Sequence, residues 1–262
     1  MPRKALIFIA FVLSSGAVYA SGGEDSFAYT FTLFLHQALF VFWLGPDVGV
    51  YMWSTKLANT EVTPAQRLAA ARIMPVIEVI SKACMSLMLT VGGILTELRG
   101  IDHYWWQMPA IIILGPIWLT LTLMVFFKSG TETGVRLARY DVWFRWLVVV
   151  SVSASSVFAL VTGRLDDAPW VVGKLLLFAA VVLFGLLMRQ RLAPLQDNLD
   201  KLEAEGPTPE VNTAISRCIG QARVFMFATW AGLIMAGAMG VFQPGAPESP
   251  VGQMSQVVDV HP

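Results

Sequence analysis

The chain has 262 residues, 56% hydrophobic and only 14% charged, with nine Trp, a mean hydropathy of +0.63 and no net charge. That balance excludes an ordinary soluble domain, and zero net charge leaves no basic field for nucleic acid, so any electrostatic function must be local. Cys84 and Cys218 are the two cysteines and no C-x-x-C occurs, which excludes thiol redox motifs, cysteine-held zinc and covalently attached c-type haem.

Arg3 and Lys4, the apolar stretch from Ala5 to Leu13, and small residues ending at Val18-Tyr19-Ala20 have the pattern of a signal peptide cleaved after Ala20. Span one, from about Tyr29 to Trp53, carries His36, and Pro46 after Gly45 predicts a kink beside Asp47 that exposes backbone carbonyls. Span two, Arg72 to Leu98, carries Glu78, Lys82, Cys84 and Met88. Span three runs from Gln107 to Lys128, behind Tyr104, Trp105 and Trp106. Spans four (Trp143 to Thr162) and five (Ala168 to Met188) are separated only by a polar turn around Arg164 and Asp166, so a five-span count is the competing topology. The connection from Arg189 to Arg217 places Leu192, Leu195, Leu199 and Leu202 on one face before Gly206-Pro207, which predicts a helical extension or a surface helix. In the last span, Ile219 to Phe242, Gly232, Ala236 and Gly240 recur every four residues and permit close helix contact.

The expected architecture is an all-α polytopic membrane helical bundle, six transmembrane helices after a cleaved signal peptide. Residues 1–20 form the signal, 21–243 the six-helix domain, and 244–262 a disordered tail rich in Pro, Gly, Ser and Gln. Twelve Lys and Arg residues between Lys56 and Arg223 fall on one side against Arg99 and Arg164 on the other. By the positive-inside rule this places the chain in the bacterial inner membrane with both mature termini periplasmic. Tyr104, Trp105, Trp106 and Trp170 then mark the outer boundary, and Trp143 and Trp146 the inner one.

His36, Asp47, Glu78, Lys82 and Lys174 lie inside apolar spans, where each charge costs ~2.5 to 3.5 kcal/mol. At ~1.5 Å rise per residue, Asp47 and Glu78 lie about 9 Å from the inner ends of their spans. With Lys82 at the favourable i, i+4 offset they form an inner buried ion-pair cluster that could include Arg72. His36 and Lys174 lie about 10 and 9 Å from the outer ends, with Met88 a turn deeper and His103 and Arg164 in the adjoining loops. That outer cluster has the chemistry of a haem or copper site: imidazole as metal ligand, thioether as second ligand, Lys or Arg against propionates. A structural hydrogen bond for His36 and ordinary packing for Met88 are the alternatives.

At these residues the chain resembles the HemJ-type protoporphyrinogen oxidases, which are small haem-b membrane proteins, and more distantly the CopD-type copper-resistance membrane proteins. His36, Trp43 and Gly45 in span one, Arg72-Ile73-Met74-Pro75 opening span two, and Trp170, Lys174 and Leu175 in span five are similar to the family patches in the same order. The resemblance implies His36 as haem ligand and places Arg72 and Lys174 among the functional groups. Arg145, in the span leading to Lys174, competes with Arg72 for the family arginine. The expected function is a membrane protein holding haem b with His36, Lys174, Arg72, Met88 and Arg164, serving electron transfer or a membrane oxidoreductase. Its partners would be the lipid bilayer and a quinone or membrane redox subunit. The alternatives are a copper-handling permease and a non-catalytic assembly subunit.

Overall fold

The computed structural model describes residues 27–101 and 103–246, so the expected signal peptide and nearly all of the expected tail lie outside the described residues. In chain order the helices are α1 (Phe27–Ala58), α2 (Pro64–Leu98), α3 (Gln107–Phe127), α4 (Glu132–Thr162), α5 (Pro169–Leu192), α6 (Leu195–Glu205) and α7 (Pro209–Phe242), with no strand among the described residues. All but α6 are long and apolar enough to cross a bilayer, so the chain is an all-α, multi-pass membrane protein. Spans four and five are separate: Gly163, at φ 66° and accessible to glycine without steric cost, closes α4, and Pro169 opens α5.

Several helices outrun their apolar runs. Helices α2, α4 and α7 begin at Pro64, Glu132 and Pro209, where hydropathy places the spans from Arg72, Trp143 and Ile219. Each lead adds roughly 12 to 17 Å of polar-faced helix. The starts are fixed by caps: the Thr131 hydroxyl accepts from the Gly134 N–H at 3.1 Å, and Thr208 does the same for Val211 at 3.3 Å.

The described helices form two compact units. The first contains α1 up to Asp47, α2 from Ile77, and α3; the second contains Val48–Val76 and the described residues from Lys128 onward. The divisions fall beside Pro46 in α1 and Pro75 in α2, where a missing N–H interrupts the helical ladder.

In the first unit α2 presents two faces. Ser81 donates to the Trp43 carbonyl of α1 at 2.9 Å, taking up a backbone acceptor near Pro46, and Gly92 receives His36. On the other face the Thr90 hydroxyl donates to the Ile111 carbonyl at 2.5 Å and accepts from the Gly115 N–H at 3.0 Å, bridging one turn of α3 just before Pro116.

In the second unit α5 makes its most extensive pairing with α7 and also packs on α4. The small-residue stripe of α7 serves that contact: Gly232 lies against Val181 and Gly240 against Lys174. At the other end of α7, Leu199 and Leu202 of α6 join Leu57, Ala70, Ile215 and Ile219 in a buried apolar core. The leucine face therefore packs inward, and α6 ends at Gly206 (φ 84°). Leu192 closes α5 instead of belonging to this helix.

Candidate functional site: polar groups in the membrane-spanning helices

His36 sits in the first unit, half-buried, with its ring edge on the α2 backbone. A Cβ at Gly92 would stand 3.2 Å from His36 Cε1 and 3.6 Å from Nδ1, so the missing side chain is what admits the imidazole. Met88, one turn from Gly92 and 8% exposed, continues the same stripe with Met85 and Cys84, both also buried. Met88 thus lies on the same face of α2 as Gly92. His103 is committed elsewhere: its Nδ1 lies 2.6 Å from Glu97 Oε2 and its Nε2 3.5 Å from the Thr96 hydroxyl.

The inner polar cluster forms in the same unit. Lys82 Nζ is 2.9 Å from Glu78 Oε2, one helical turn apart, and both side chains are half-buried. Asp47 stands beside Ser81, Glu78 and Lys82. Arg72 does not join them. It lies in the second unit, largely exposed, with Nη2 3.6 Å from Glu203 Oε1.

Lys174 and Arg164 also belong to the second unit. Lys174 Nζ lies over the Trp170 ring, 5.6 Å from its centroid, and packs on Gly240. Trp170 is buried, at 8% exposed, whereas Trp105, expected at the outer boundary, and Trp143, expected at the inner one, are 87% and 71% exposed. Arg164 is half-buried in the α4–α5 turn. Of the residues expected to form one outer cluster, His36 and Met88 belong to the first unit and Lys174 and Arg164 to the second.

Three charged arrangements escaped sequence reading. Arg145 Nε is 2.8 Å from Asp141 Oδ2, both buried, and Arg189 Nη1 approaches the same oxygen at 3.7 Å. The i, i+4 spacing of Asp141 and Arg145 was the available signal. Arg67, with no exposed surface, donates Nε to the Leu57 carbonyl at 2.8 Å and Nη1 to Asn212 Oδ1 at 2.6 Å. It thereby caps the end of α1 and ties α2 to α7. Arg223 donates Nη2 to the Thr55 hydroxyl at 2.8 Å and stacks 5.1 Å from the Tyr51 ring, beside Phe227 and Trp230.

Among the described residues no three His, Cys, Asp or Glu side chains converge as a metal cage. An imidazole with a thioether is a different donor set, suited to haem iron or to copper(I). No protein-family model, curated protein or solved structure matches the chain.

Proposed function

We propose that the protein is an inner-membrane haem b protein serving electron transfer or a membrane oxidoreductase, in which His36 would hold the haem. The observation that carries this reading is the imidazole laid on Gly92 one turn from buried Met88, inside membrane-spanning helices. Nitrogen and thioether donors in a low-dielectric setting fit haem b, which supplies one-electron chemistry when bound. The chain's own part is to orient the imidazole, offer the Met88 sulfur and exclude water. A quinone or a membrane redox subunit would exchange the electron.

Signal-like residues at the start of the chain and the one-sided Lys and Arg distribution support periplasmic mature termini. A second reading, copper handling, draws on the buried row Cys84, Met85 and Met88, whose soft sulfurs suit copper(I).

The test is an absorption spectrum of detergent-purified protein from haem-replete cells. A Soret band is expected in wild type and should vanish in His36→Ala while the bundle elutes unchanged. Gly92→Ala, which pushes a Cβ against the ring, should lower occupancy. An unchanged band in His36→Ala, or none in wild type, overturns the assignment; bound copper in the latter case favours the second reading.

A further inference from the structure

A concavity of about 330 Å³ opens where α5 ends, α6 begins and α7 enters its apolar run. Arg191 and Arg217 line it together with Gln190, Gln221 and Asn198, and no carboxylate is among its lining residues. Three other arginines of the second unit are engaged with protein. Arg189 turns to Asp141, Arg72 to Glu203, and Arg67 to Leu57 and Asn212. Arg189 and Arg191 are two residues apart, about 200° around a helix, so only one can face α4. Glu210 lines an adjoining concavity that shares Arg217, but not this one. On α6, Asp200 is hydrogen-bonded by Gln196, and Asn198 donates to the Pro194 carbonyl. Arg191, Arg217, Gln190 and Gln221 therefore line one space with no acidic residue in its lining. That is the donor set for a phosphate oxyanion.

Position selects the form of the phosphate. Arg191 follows the last apolar residues of α5, and Gln221 stands at the start of the apolar run of α7, so the concavity lies at the expected depth of lipid headgroups. Pro194 and Ala214 add apolar lining. Toward the apolar part of α7 the Arg217–Gln221 face continues to Val224, 66% exposed, where an acyl chain would lie. We infer that this concavity is a headgroup site for an anionic phospholipid, its phosphate held by Arg191 and Arg217. The site is independent of the haem reading.

The full chain in detergent tests this by thermal unfolding with added phosphatidylglycerol, phosphatidylcholine or inorganic phosphate. Phosphatidylglycerol alone should raise the melting temperature, and R191Q/R217Q should lose at least half of that gain while Arg72→Gln keeps it. Equal protection by phosphatidylcholine, or an undiminished gain in R191Q/R217Q, overturns the site. Protection by millimolar inorganic phosphate without lipid makes it a free-anion site and overturns the lipid assignment. Should R191Q/R217Q not fold, native mass spectrometry of the wild-type protein decides: retained phosphatidylglycerol, displaced neither by phosphatidylcholine nor by phosphate, is expected, and no retained lipid refutes the proposal.

Discussion

Two ion pairs with the same i, i+4 spacing have different surroundings. Asp141 and Arg145 are 5% and 8% exposed, with Arg189 beside them, whereas Glu78 and Lys82 keep 30% and 40% of their side-chain surface. Removing Asp141 leaves two guanidiniums facing each other with no carboxylate between them. Asp141→Ala should therefore cost ~3 to 5 kcal/mol, read as a lowered unfolding midpoint in detergent; a loss below ~1 kcal/mol would show that Arg145 is held by other groups. Glu78→Ala leaves Lys82 in an apolar span with Asp47 as its remaining neighbouring carboxylate, and should cost up to ~2.5 to 3.5 kcal/mol. Removing both should recover most of that loss, and strictly additive losses would mean that the two do not interact.

At the scale of elements, helix contact depends on where glycine meets a rigid or a yielding neighbour. A Cβ at Gly232 would fall 2.8 Å from Val181 Cγ2, on a branched side chain whose rotamer is restricted. At Gly173 the neighbour is the Met239 sulfur at 2.7 Å, near the end of a flexible chain. Gly232→Ala should thus destabilise the α5–α7 pair by ~1 to 3 kcal/mol and Gly173→Ala by clearly less, compared by thermal unfolding. Equal losses would mean that the backbones shift instead of the side chains.

For the whole molecule, an even number of crossings places both ends of the membrane domain on one side. If that side is periplasmic, as proposed, a reporter fused after Pro262 should be active only outside the cytoplasm. One placed in the α3–α4 connection, between Phe127 and Glu132, should be active only inside. Cytoplasmic activity of the first fusion contradicts the orientation.

The number, order and approximate placement of the spans were legible because lipid demands uninterrupted apolar runs with satisfied backbone, a property local to each segment. The Glu78–Lys82 pair was legible for the same reason, since its two members share one helix. The polar lead-ins of α2, α4 and α7 were not, because hydropathy reports contact with lipid and not helicity. Nor were the neighbours of the proposed site residues: Gly92 receives His36 in the first unit, and Trp170 and Gly240 surround Lys174 in the second. Only tertiary packing decided that Arg67 is buried as a cap, that Arg72 faces Glu203 and that Arg191 and Arg217 line one concavity. Each partner comes from another helix, and which helices meet depends on long-range packing that no single segment encodes.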